Sequence, residues 1–179
     1  GRFTAAERGR VLMRLAQKSF HPGRIPFPLL HIDTMYKFPE MYAFRDRACA
    51  EAGVELRVLR NESALAADAN PWDLGTVKCC GSLKTQGLLD ALKAGNYDAV
   101  IGGARREEER SRAKERVFSF RDRHGQWDPK RQRPEPWKLY NARKQKGESV
   151  RVFPMSNWTE LDVWQYIHLE QIPLVDLYF

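Results

Sequence analysis

The apolar positions of the first twenty residues recur at helical spacing. In "AAERGRVLMRLAQKSF", Val11, Leu12, Leu15, Ala16 and Phe20 fall on one face, which predicts a helix over 5–20 with Thr4 as its N-cap. The Pro- and Gly-rich connection "HPGRIPFP" then leads into "LLHID", Leu29 to Asp33, a short continuous apolar run of the kind that forms a strand buried on both faces. The alternation repeats, with a helix over about 38–52 closed by Gly53, a strand from Glu55 to Leu59, a helix over about 82–94 closed by Gly95, and a strand from Tyr97 to Ile101. Strands separated by helices define an α/β protein with a doubly wound, mostly parallel sheet. In such sheets ligands bind at the carboxyl ends of the strands, which directs attention to "HIDT" and "VIGGARR".

Beyond Arg106 the periodicity disappears. Residues 107–149 are rich in Arg and Lys, carry Trp127, Trp137 and Tyr140 and hold three prolines, so they read as a packed functional insertion; residues that never pack would not need those aromatic rings. "VRVFPMS" then predicts a strand, and "NWTELDVWQYIHLEQI" a helix opened by Asn157 or Thr159, with Trp158, Leu161, Trp164, Ile167 and His168 near one face. The whole of 1–179 is expected to be a single nucleotide-binding α/β domain with 107–149 inserted within it.

Charge sharpens this picture. The 179-residue chain has a formal charge of +7, and residues 101–151 hold 16 Lys and Arg against 8 Asp and Glu while the remainder holds 14 against 15. A local excess marks a site for an anionic partner. Nucleic acid is not expected, because eight acids interleaved with the cations weaken contact with a long phosphate backbone, and a small anionic nucleotide fits better. No run of about 18 apolar residues is present, so no membrane association is expected. With three cysteines, two of them adjacent, and no secretory pattern, a reducing cytoplasmic setting is the expectation.

Two places hold candidate chemistry. Gly102 and Gly103 end a predicted strand and are followed by Arg105 and Arg106: glycines allow close backbone approach to an anion, and paired guanidiniums offer forked donors for phosphate or sulfate oxygens. A strand-to-helix turn with solvated arginines is the plainer alternative. Arg112, Lys114 and Arg116 add three cations just downstream, where Glu107, Glu108 and Glu109 could instead balance them along a surface helix. Asp33 and Thr34 close the "LLHIDT" strand, where a carboxylate can bind a ribose hydroxyl or a metal, or simply cap the next element. His31 is expected in the core. Cys79 and Cys80 lack further thiolates beyond Cys49, so buried thiols are expected and no iron–sulfur cluster or other metal centre.

"PFPLLHIDT", "KFPEMYAFRDR", "GGARREEERSRAKERVFSFRDR", "WDPKRQRPEPWKLYN" and "GESVRVFPMSNWTELDVWQYI" together resemble the small, nucleotide-binding subunits of bacterial sulfate adenylyltransferases. Those subunits belong to the adenine nucleotide α-hydrolase-like (PP-loop) group, which also contains the adenylylsulfate and phosphoadenylylsulfate reductases. The resemblance implies a nucleotidyltransferase of sulfate assimilation that makes adenosine 5′-phosphosulfate and pyrophosphate from ATP, with Mg²⁺, and sulfate. It also implies a heterodimer with a large GTPase subunit. By the same resemblance Asp33 and Thr34 would contact adenosine, Gly102, Gly103, Arg105 and Arg106 the phosphates, and Arg112, Lys114 and Arg116 the pyrophosphate or sulfate. Trp127 to Tyr140 would meet the partner or cover the site. The group's "SGGKDS"-type loop is expected just before "VLMRLAQKSF", where this sequence reads "TAAERG", so the chain is expected to be truncated at both ends. The alternatives are a reductase of the same group or an inactive partner module.

Overall fold

The computed structural model describes residues 5–95 and 97–178. Thr4, the expected cap of the first helix, lies outside them. The chain divides into two compact units, one of residues 5–16 with 97–174 and the other of 17–95 with 175–178.

In the first unit, helix α1 (Ala5–Phe20) supplies its residues 5–16. Strands β3 (Ala99–Ile101), β4 (Phe118–Arg121) and β5 (Ser149–Val152) form a sheet in the order β3-β5-β4. β3 runs parallel to β5, with Val100 opposite Arg151, and β4 runs antiparallel to it, with Phe120 opposite Val150. The core packs Val11 of α1 with Met155 and with Val163, Ile167 and Ile172, flanked by Leu12, Leu15, Trp158 and Tyr166. Helix α6 (Glu160–Leu169) is opened by Thr159, not Asn157: the Thr159 hydroxyl accepts from the Asp162 amide and the Asp162 carboxylate accepts from the Thr159 amide. This reciprocal cap fixes the helix phase. Its core face is therefore Val163 and Ile167; Leu161 is 65 % exposed and Trp164 39 %, so the face expected from sequence was rotated.

The basic insertion is ordered by side chains and not by periodic packing. β4 has a free edge, and the Val117 and Phe118 amides donate to the Glu135 carboxylate at 3.1 and 2.8 Å. Further along, the Phe120 amide donates to the Gln132 side-chain oxygen while the Gln132 amide returns a bond to the Phe120 carbonyl. Two loop side chains thus do for this edge what another strand would do, and Arg133 lies over the Phe120 ring at 4.2 Å.

In the second unit β1 (Leu29–Ile32) and β2 (Leu56–Leu59) pair in parallel, and α2 (Pro39–Ala52) connects them, closed by Gly53 in the left-handed region at φ 62°. Two helices that the apolar pattern did not predict follow. They are α3 (Glu62–Ala66), capped by the Asn61 side chain, and α4 (Pro71–Cys80), capped by the Asn70 side chain with proline in its first turn. The expected helix over 82–94 is a π-helical turn, Gly81–Gln86, leading into α5 (Gly87–Gly95). Ala64, Ala69, Cys79 and Leu83 form a small core. Cys49 and Cys79 are buried, but Cys80 is exposed, against the expectation that the thiols would be inside. Among the described residues no helix is long and apolar enough to cross a membrane.

Candidate anion site

The turn after β3 is built by close packing. The Gly102 amide donates to the Val152 carbonyl at 2.8 Å, extending the β3–β5 ladder, and the Arg106 amide donates to the Ser156 carbonyl at 3.0 Å. A Cβ on Gly103 would stand 2.8 Å from Cβ of Arg8, and one on Gly102 would stand 3.0 Å from the Phe153 ring. Both positions need glycine because α1 and Phe153 press against the backbone. The anion-approach reading of these glycines thus gains a packing reason beside it.

Three of the expected cations converge here. Ala104, Arg105, Arg106, Arg112, Glu115, Phe153 and Ser156 line one small cleft. The Arg105 side chain is only 3 % exposed; it pairs with Glu107, lies 3.5 Å from Glu108, and donates to the Trp158 carbonyl. Glu108 also receives Arg8 at 2.5 Å, and Glu107 accepts from the Glu160 amide at the start of α6, where the helix dipole favours a carboxylate. Arg106 donates from Nε to the Glu115 carbonyl at 2.8 Å. Lys114 and Arg116 are exposed and do not line the cleft. The segment 107–116 is no salt-bridged surface helix; it holds a short 3₁₀ turn at Arg110–Arg112. Sequence reasoning missed Glu115, which is buried, and Ser156. The only signal for Glu115 was an acid alone in a run of cations.

The second unit places Asp33 and Thr34 just beyond β1. Asp33 is 1 % exposed. Its carboxylate accepts from the Tyr42 hydroxyl at 2.7 Å, the Met35 amide at 2.9 Å and Arg60 at 3.1 Å. Burial pushes the carboxyl upward, but these donors outweigh it and hold Asp33 below the usual aspartate range. The Met35 bond closes a turn in which Met35 sits at φ 64°. Thr34 is half-buried beside it.

His31 is not a core residue. It is half-buried, and its Nε2 lies 2.8 Å from Lys37 Nζ, so the neutral ring accepts a hydrogen bond from the ammonium group. Burial, then Lys37 and Arg45, lower its pKa to about 4. Between about pH 4 and 6.5 the unfolded chain therefore binds a proton that the folded chain refuses, and stability rises with pH through that window. His31→Gln should flatten this rise, as read from urea unfolding midpoints between pH 4 and 7. An unchanged slope would assign it to other groups.

Among the described residues no three His, Cys, Asp or Glu side chains come together as a metal cage. Each unit thus carries a turn at a strand end, a carboxylate turn in one and a glycine–arginine turn in the other, of the kind that α/β folds use for nucleotide and oxyanion ligands.

Residues 3–179 match the phosphoadenosine phosphosulfate reductase domain family. The chain belongs to that family. It is 60 % identical over 177 residues, 99 % of its length and 58 % of the relative's, to sulfate adenylyltransferase subunit 2 of Myxococcus xanthus. It is 60 % identical over 169 residues, 94 % of the chain and 56 % of the relative, to the protein of the same description from Akkermansia muciniphila. The Chromohalobacter salexigens counterpart is 59 % identical over 94 % of the chain and 55 % of its own length. The chain thus spans little more than half the length of these curated relatives. The crystal structure of a phosphoadenylyl-sulfate reductase from Candida auris, in a phosphate complex, superposes with a TM-score of 0.63 at 19 % identity, covering 98 % of this chain and 74 % of that one. This confirms the α/β fold expected from the alternation of strands and helices.

Proposed function

We propose that this chain is the nucleotide-binding part of an ATP:sulfate adenylyltransferase. The observation that carries the reading is the 60 % identity across 99 % of the chain to a sulfate adenylyltransferase subunit 2. A sulfate oxygen attacks the α-phosphorus of ATP in line, a new P–O bond forms, and the bond to pyrophosphate breaks. Both reactants are anions, so the protein's work is to hold like charges together and to stabilise charge on the leaving group. Magnesium enters as the counter-ion of the ATP substrate.

In this reading Asp33 and Thr34 serve the adenosine end, Asp33 through the turn it organises. Gly102, Gly103, Arg105 and Arg106 serve the phosphates, Arg106 and Arg112 from the cleft and Arg105 as its buried, carboxylate-paired wall. Lys114 and Arg116, being exposed, attract the anion at longer range. Residues 1–179 act as one nucleotide-binding domain, with 107–149 as an insertion within it. The partner is a second, GTP-hydrolysing subunit, and the insertion offers it a surface: Trp137 is 88 % exposed, Leu139 67 % and Tyr140 48 %.

The test is sulfate-dependent exchange of labelled pyrophosphate into ATP, measured on the full-length protein with its partner. Exchange that needs sulfate supports the reading. Reduction of a phosphosulfate by a thiol donor without exchange would instead favour the reductases named in the family description.

A further inference from the structure

Around Glu115, in the wall of the cleft, lies a charge arrangement that the roles given to Arg105, Arg106 and Arg112 do not account for. Glu115 is 6 % exposed and Ser119 fully buried. One Glu115 oxygen, Oε1, accepts from Ser119 Oγ at 3.0 Å and from Arg121. The other, Oε2, stands 3.5 Å from Arg112. The backbone carbonyl of the same residue accepts Arg106 Nε. A single buried residue thus touches two of the three guanidiniums that line the cleft, Arg106 and Arg112, and Arg121 besides. Arg121 is 13 % exposed at its side chain, its buried Nε has no hydrogen-bond partner among the described residues, and its charge is felt by Arg151 on the neighbouring strand.

The balance is uneven, since Arg112 and Arg121 pair with one carboxylate while Arg151 lies within its electrostatic reach and Arg106 bonds the carbonyl of the same residue. Burial, and then repulsion from Arg151, lowers the Arg121 pKa to about 10, and Arg151 is lowered as well. Like charges gathered away from water are costly unless an anion joins them. The Glu115 carboxylate, itself part of the cleft lining, neutralises only part of this; Arg112, with its side chain 36 % exposed, remains able to reach outward.

We propose that Glu115 is a positioning residue of the anion site: its carboxylate aims Arg112, its main-chain carbonyl holds Arg106, and Ser119 and Arg121 lock the orientation of the side chain. The proposal rests on the anion-binding reading given above. It assigns Glu115, Ser119 and Arg121 no contact with substrate.

A sign separates positioning from simple charge. Were Glu115 only a negative charge near the site, removing it would strengthen anion binding. As a positioning residue its loss must weaken binding, because Arg112 loses the carboxylate that aims it, while Arg106 keeps its bond to the main-chain carbonyl. Titration calorimetry of inorganic pyrophosphate and of sulfate into the purified protein, with unfolding temperature recorded in parallel, reads this sign. Glu115→Gln, and Glu115→Asp, which keeps the charge but is one methylene shorter, should each bind about tenfold or more weakly than the wild type. Ser119→Ala changes no charge and removes one hydrogen bond, so it should fold and lose affinity by a few-fold; it decides the matter if the Glu115 variants do not fold. Glu115→Gln binding as tightly as wild type or tighter overturns the proposal, as does unaltered affinity in Ser119→Ala. A wild-type protein that binds neither anion removes the anion-site reading itself, and the proposal with it.

Discussion

Arg106→Ala should lower the catalytic efficiency of sulfate-dependent adenylyl transfer by about 10- to 150-fold, the loss of one charge-assisted hydrogen bond to a phosphate-like group. It should leave the unfolding temperature almost unchanged. Among the described residues the side chain gives up one hydrogen bond, from Nε to the Glu115 carbonyl. That carbonyl also accepts from Ser156 Oγ at 3.5 Å, so it is not left bare. Arg105→Ala should reduce turnover as strongly, for a different reason. Its guanidinium is buried among Glu107, Glu108 and the Trp158 carbonyl, and removing it leaves carboxylates facing one another beside the start of α6. This variant should therefore lose stability as well, by about 2–4 kcal/mol. The pair of variants is read by measuring kcat/KM and denaturant midpoint together. Wild-type turnover in Arg106→Ala would remove it from the site, and an unshifted midpoint in Arg105→Ala would contradict the buried network.

The difference between these arginines was not legible in the sequence, where they are neighbours in "GGARR". What separates them is tertiary. Glu107 and Glu108 follow at separations of two and three residues, and only the departure of the chain from helical geometry after Arg106 lets both reach back to one guanidinium. Much of the framework was legible. β1 and β3 lie within the apolar runs at 29–33 and 97–101, and α2 ends at Gly53 as its left-handed closure requires. The starts of α3 and α4 were written in Asn61 and in Asn70-Pro71, but short helices with few apolar residues give periodicity too little to register. The order in the insertion could not be read at all, since it depends on Glu135 and Gln132 bonding backbone 12 to 18 residues away, which no local pattern encodes. Asp33 was legible as a position and not as a role. A carboxylate at a strand end is equally a ligand, a cap or a turn-former, and only the three donors around it decide.

Those donors set the size of the effect at Asp33. Asp33→Ala should cost about 2–3 kcal/mol, because the Tyr42 hydroxyl and the Met35 amide lose their buried acceptor together. The Arg60 side chain is 43 % exposed, so its charge returns to water and adds little. A local consequence follows from the backbone: Met35 is held at φ 64°, and without the side-chain bond nothing on Asp33 favours that conformation over the extended one. The turn at the end of β1 should loosen, with faster hydrogen exchange at residues 34–37 and weaker nucleotide binding. The pH dependence carries the same signature. The folded-state pKa of Asp33 is held below its unfolded value, so its contribution is fully present above about pH 4 and disappears as pH falls through the lowered folded-state value. Asp33→Asn keeps an acceptor for Tyr42 or Met35 but cannot titrate, so it should destabilise less than Asp33→Ala and flatten the acid limb of the stability curve below pH 4. Urea unfolding of the three proteins from pH 2.5 to 7 measures both effects. Equal acid limbs in wild type and Asp33→Asn, or a midpoint in Asp33→Ala matching wild type at neutral pH, would show that the turn is held by something other than this carboxylate.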